Sequence, residues 1–275
     1  MERSGIYIAP PYQESGSRRR LSDHRGTKLQ PATLFVPNAP NLAPEVHFPL
    51  QTVSAPDRPP YPRFVNRFDS REILLVVDGS CVNNGRHGNK CEPPVAGCSF
   101  TFKGTPTSSL DPAPQPVTFP FQGTDPDFNN QVVTGSIAFR LEREGPLGQP
   151  IEHTSNRAKL RAVIAALQFR PWDAEGWRRV VILTDLEYIV SGATTWLPRW
   201  VKRGWRKRAN RDLWEELQGR IEELRSRKCE VSFWLVTNEF ESQFIGRTKA
   251  AARSAARSTE GMEMEKFTKL CGIML

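Results

Sequence analysis

The stretch that most constrains this fold is Arg71-Glu-Ile-Leu-Leu-Val-Val-Asp-Gly-Ser-Cys81. Ile73 to Val77 is an unbroken apolar run rich in β-branched residues. It is long enough for a strand and too short for a helix. Such a run implies a strand buried on both faces, and therefore one in mid-sheet. Asp78 closes the run, and Gly79 and Asn83-Asn84-Gly85 supply turn residues. A carboxylate at the end of a central strand points to the edge where sheet folds place their chemistry. The plainer reading makes Asp78 the first residue of a turn.

Further elements follow along the chain. Ala96–Lys103 alternates and reads as a second strand, and Ser136–Leu141 as a third. His153–Leu167 is the clearest helix. Thr154 or Ser155 caps it, and Leu160, Val163, Ile164 and Leu167 line one apolar face at i, i+3, i+4 and i+7. Arg179–Thr184 is a second buried strand and ends in Asp185. Leu186–Ala193 reads as a short helix. A helix capped by Asn210 carries Leu213, Leu217, Ile221 and Leu224 on its inner face. Glu230–Val236 is a fifth strand, and residues 246–257 form a basic helix. This order implies an α/β domain over residues 68–257. Residues 1–67, rich in Pro and Arg, read as a disordered arm. Residues 104–134, with Pro106, Pro112, Pro114, Pro116, Pro120 and Pro126, read as an insertion loop. Residues 258–275 read as a tail.

Composition narrows the partners. The 275 residues carry a net charge of +8, which favours an anionic partner, most simply nucleic acid. Five cysteines at irregular spacing suit a reduced intracellular protein better than a disulfide framework. Cys81, His87 and Cys91 contain no CxxC pair that would support zinc. No apolar run approaches the roughly 18 residues of a membrane span. The expected setting is nuclear or cytoplasmic, with a mitochondrial one open.

Four stretches taken together carry a resemblance. They are Val77-Asp-Gly-Ser80, Thr154-Ser-Asn-Arg-Ala-Lys-Leu-Arg-Ala162, Thr184-Asp-Leu-Glu-Tyr188, and Trp200 to Trp205 running on to Asn210-Arg-Asp-Leu-Trp214. Their order and content resemble the type 1 ribonuclease H family, in a form reminiscent of filamentous fungi. The resemblance implies an α/β ribonuclease H-like fold. Its five-stranded mixed sheet has three antiparallel strands followed by two parallel ones, with helices on both faces. It also implies a nucleic-acid partner, an RNA–DNA hybrid or a structured RNA, whose RNA strand such enzymes cut.

The family's chemistry uses four carboxylates around two Mg²⁺ ions, which activate water and stabilise the leaving oxygen. Asp78 and Asp185 match the first and third carboxylates. The second falls on Lys159 and the fourth on Ile245, so two ligands are replaced. Lys159 then stands either between Asp78 and Asp185 or on the helix exterior. Glu187, Glu239 and Glu241 are candidate substitute metal ligands. The nucleic-acid contacts implied are Ser80, Asn84 and Asn156 near the cut, with Arg203, Trp205, Lys207 and Arg208 on a basic protrusion. The leading expectation is a nucleic-acid-binding protein with impaired catalysis. The alternatives are an active Mg²⁺-dependent hybrid ribonuclease using substitute carboxylates, and an interaction scaffold.

Overall fold

In the computed structural model the run Ile73–Val77 lies inside a long strand, β4 (Asp69–Val82), the axis of the sheet. The structure describes residues 29–55, 58–84, 92–103, 117–119, 135–206, 208–236, 242–258 and 265–270. His87, Cys91, Lys207, Glu239, Glu241 and most of the proline-rich insertion lie outside them. Asp78 was expected to end the strand, but β4 runs on to Val82 and the chain turns at Asn83, whose φ is 58°. The extra length is set by pairing: Val76 to Val82 match Thr101 to Val95 of β5 (Val95–Thr101), antiparallel.

The five expected strands are all present. β4, β5 and β7 (Ser136–Arg140) are antiparallel neighbours. β8 (Arg179–Thr184) lies parallel to β4, and β9 (Glu230–Leu235) parallel to β8. Further strands extend this unit. β6 (Val117–Phe119) adds in parallel to β7. β1 (Thr33–Leu34) adds in parallel to β9. β2 (Leu50–Ala55) pairs with β3 (Arg58–Asn66), and β3 with the start of β4.

These additions correct the reading of residues 1–67 as a disordered arm. From residue 29 onward the segment is part of the fold, with a short helix α1 (Pro44–His47) between β1 and β2. Strand alternation explains its docking. Ile73, Leu75 and Val77 face one core; Leu74 and Val76 face the other, with Val181, Leu183 and Trp234. Phe35, Phe48 and Phe64 from the N-terminal segment fill that second core. Single aromatics separated by prolines carry no periodicity, so no helix or strand pattern marks them in the sequence.

The first core is closed by α2 (Ser155–Phe169) and α5 (Arg211–Ser226), which pack against each other and, through α2, on β4 and β5. Leu160, Val163, Ile164 and Leu167 are fully buried, each stabilising by roughly 1.5–3 kcal/mol. Both flanks of α2 are covered as well, so Arg157 and Arg161 are buried and paired with Asp212 and Glu142. Thr154 Oγ1 accepts the Arg157 N–H at 3.1 Å and caps α2. Thr154→Ala will cost about 1 kcal/mol, read as a shift in the urea midpoint at unchanged slope. Asn210, expected to cap α5, does not: it sits at φ 57° and accepts from Arg157 instead.

On the opposite face α6 (Gln243–Arg257) crosses β4, β5 and β7. A Cβ at Gly97 would collide with the backbone of Ala252 and Ala256, so only glycine admits the helix this close. The tail is also partly docked. Phe267 and Leu270 pack on the first core, and Arg161 Nη2 donates to the Thr268 carbonyl at 2.6 Å. Among the described residues no helix is long and apolar enough to cross a membrane.

Candidate active centre and nucleic-acid surface

Asp78 is 1% exposed. Its Oδ1 accepts the Gly79 N–H at 2.7 Å and lies 2.8 Å from Lys159 Nζ. Its Oδ2 is buried without a hydrogen-bond partner among the described residues. Gly79 sets this geometry, since a Cβ there would strike the backbone of Ala158 and Lys159. The missing side chain lets the start of α2 lie directly on β4 and brings Lys159 over Asp78. Asp185 follows the last residue of β8, and the Lys159 ammonium also bonds its Oδ1. Lys159 therefore stands between the two aspartates, the first of the two positions open to it in the sequence.

A second ammonium completes the centre. Lys249, on α6, lies with Nζ 3.5 Å from Asp185 Oδ2. Ile245, aligned with the fourth carboxylate, instead packs partly buried against the second core. It stands one turn before Lys249 on the same side of the helix, so the two differ in their place along its axis. The residue of α6 that reaches the aspartates is thus Lys249. Glu187 is exposed at the start of α3 (Glu187–Ser191) and makes no described contact with either aspartate.

The electrostatics follow from burial and charge. Burial raises the Asp78 carboxyl above its ordinary value, outweighing the attraction of Lys159. Burial acts on Asp185 in the same sense, but the hydrogen bond and charge of Lys159, with Lys249, hold it below. Burial pulls Lys159 down, yet Asp78 and Asp185 win and hold it above the usual lysine range, hence charged. The formal charges of two aspartates and two lysines cancel. Mg²⁺ asks for an octahedron of oxygens, and here the Lys159 ammonium lies between the two carboxylates brought together among the described residues. Among the described residues no cluster of three His, Cys, Asp or Glu could hold a metal ion. The described residues of this centre do not fit two such ions.

The nucleic-acid candidates separate into surface and core. Asn84 and Asn156 are exposed, and Ser80 is half-buried on β4. Arg203 and Arg208 are exposed, and the Arg208 guanidinium lies 5.5 Å over the Trp200 ring. Trp205 is different. It is 5% exposed, with φ 59°, and packs 6.4 Å from Trp200 under Arg211. A ring so covered has no free face for a base, so Trp205 holds the protrusion together rather than contacting a ligand.

The half-buried rings Tyr188 and Trp196 lie nearby, over the buried Trp200. After α3 comes a π-helical turn (Gly192–Trp196) and then α4 (Leu197–Lys202). Trp196, Arg199, Trp200 and Arg203 recur at i, i+3, i+4 and i+7 and share a face. With Tyr188, Arg208 and Ala209 they line a cleft of about 560 Å³. A second cleft of about 530 Å³ shares Tyr188 and Ala209 and reaches Asn156 and Thr154. That spacing was present in the sequence, masked by the more conspicuous Gly-Trp-Arg-Lys-Arg run.

Comparison with known proteins agrees with this architecture. Residues 124–237 match the RNase H family. Ribonuclease H of a Cyanothece species is 42% identical over 69 residues, 23% of this chain and 43% of that protein. Ribonuclease H of Alcanivorax borkumensis is 35% identical over 95 residues, 32% of this chain and 60% of that protein. Among solved structures, LC9-RNase H1, a type 1 enzyme with the type 2 active-site motif, is 23% identical. It covers 66% of this chain and 72% of that one, with a TM-score of 0.39. The chain spans about half the length of the curated relatives it matches. The matched segment runs through α2, β8, α5 and β9, and over residues 124–237 this chain is similar to ribonuclease H.

Proposed function

We propose that this protein is a ribonuclease H-like nucleic-acid-binding protein whose hydrolytic centre is filled by an ion pair of its own. The observation that carries the reading is the Lys159 ammonium between Asp78 and Asp185. Two like unit charges 4 Å apart repel by about 4 kcal/mol at an effective dielectric of 20. An incoming Mg²⁺ meets that repulsion where a family carboxylate would attract it. Lys159 thus supplies locally the positive charge that the ions supply in active relatives, and it holds β4, β8 and α2 together.

Binding is the function left to this surface. The cleft offers the half-buried rings of Tyr188 and Trp196 for stacking, and Arg199, Arg203 and Arg208 offer phosphate contacts. The partner is an RNA–DNA hybrid or a structured RNA, held with or without Mg²⁺.

The test uses the full chain with a labelled hybrid. Salt-dependent binding without Mg²⁺-dependent cleavage is expected. Arg199→Ala with Arg203→Ala should flatten the salt slope by about one to two phosphate equivalents. Robust Mg²⁺-dependent cleavage, abolished by Asp78→Asn, would overturn the reading. An unchanged slope in the double variant would remove the cleft from the binding surface.

A further inference from the structure

We infer that the exposed face of α6 is a second phosphate-binding surface, which extends the nucleic-acid footprint beyond the aromatic cleft. The inference rests on the nucleic-acid reading above. Lys249, Arg253 and Arg257 recur every four residues and are all exposed. Residues four apart lie about 6 Å apart along a helix and line up as one ridge. Exposed Arg247 flanks the ridge, and the helix contains no acidic residue.

Packing does not explain these cations. The inward face of α6 is small and apolar, with Ala251, Ala252, Ala255 and Ala256 buried. The helix dipole accounts for Arg257 alone. It favours a cation at the C-terminal end, where Arg257 stands, and disfavours one near the N-terminal end, where Arg247 stands. Elsewhere the chain pairs many of its arginines: Arg63, Arg157, Arg161, Arg179, Arg220 and Arg227 each meet a carboxylate. Arg247, Arg253 and Arg257 form no ion pair among the described residues. Exposed Arg199 and Arg203, which line the cleft, likewise form no ion pair among the described residues.

The two surfaces meet at one carboxylate. Lys249, the first residue of the ridge, touches Asp185, and Tyr188 of the cleft follows Asp185 by three residues. The ridge from Lys249 to Arg257 runs about 12 Å. One nucleic-acid strand presents a phosphate roughly every 3.4 Å of duplex axis, so the ridge spans about three to four phosphates. The occupant is therefore the backbone of a duplex too long to be covered by the cleft alone.

The experiment measures binding of the full chain to a short hybrid of about 8 base pairs and a long one of about 20, across salt concentrations. Wild type should show the steeper salt slope on the long hybrid. The triple variant Arg247→Gln, Arg253→Gln, Arg257→Gln should lower that slope by about two to three and the affinity about tenfold at moderate salt, leaving the short hybrid unaffected. A second variant, Ala250→Glu with Ser254→Glu, adds negative charge to the same face without removing any contact. It too should weaken the long hybrid selectively. Unchanged long-hybrid binding in both variants, with wild type binding normally, overturns the inference and leaves the proposed function standing. If wild type binds neither hybrid, both fall. If the variants lose the long hybrid and polyglutamate-competed binding equally, α6 is a general polyanion face and the inference fails.

Discussion

Replacing Lys159 with Glu and Lys249 with Asp will make the protein's thermal stability depend on Mg²⁺. In the wild type two lysines neutralise Asp78 and Asp185. The double variant puts four carboxylates where two aspartates and two ammoniums now sit. Without a cation they repel one another in a partly buried site, so the apo variant should melt below wild type. Mg²⁺ should reverse this, since a ligand that binds only the folded state stabilises by about 2.7 kcal/mol at a hundred times its dissociation constant. Wild type should show no such rise. Lys159→Glu alone should respond weakly, because Lys249 still faces Asp185. Lys159→Ile at the same position controls for the lost ammonium without adding an acid. If the double variant folds and its melting temperature ignores Mg²⁺, the carboxylates are not close enough to share an ion, and the centre described above is wrong. Placing the second acid at Ile245 instead should fail, because that side chain packs in the apolar core and an unpaired Asp there is destabilising.

Glu175→Ala will cost about 3–5 kcal/mol, because it leaves buried guanidinium charge without a partner. Glu175 receives the Arg63 guanidinium at 3.0 Å, the Arg170 guanidinium, and the Trp177 indole N–H at 3.0 Å. Arg63 is 1% exposed and sits on β3, so this carboxylate ties the N-terminal segment to the loop after α2. Arg63→Met should cost less, since Glu175 keeps Arg170. Urea unfolding measures both. A loss under about 1 kcal/mol for Glu175→Ala would mean that the N-terminal segment is not docked as described. The pH dependence has a definite sign. Burial raises the Glu175 carboxyl, but Arg63 and Arg170 outweigh it and hold the group below its ordinary 4.5. The folded state then binds fewer protons than the unfolded chain below that value. The contribution is complete above about pH 4.5 and is lost as pH falls through the lower folded value. Wild type should lose stability in that acid window more steeply than Glu175→Ala does.

Local pattern determined a good part of this protein. The apolar runs of β4 and β8, the capped stripe of α2 and the inner face of α5 are periodic, and periodicity states which residues go inside. The place of Lys159 was legible too, because it lies within a helix whose register is fixed by Thr154 and Leu160. Only the tertiary structure decided what covers each face. Phe35, Phe48 and Phe64 carry no period, and their place under Trp234 follows from an exposed sheet face that α6 does not fill. Trp205 and Trp196 look alike as sequence; a positive φ turns one under Arg211, while the helix of the other leaves its ring on the cleft. Ile245 and Lys249 differ by one turn on one side of α6, and which of them meets Asp185 depends on where along the sheet α6 is set. Sequence periodicity fixes a side of an element, whereas the neighbour on that side is set by close packing between segments far apart in the chain.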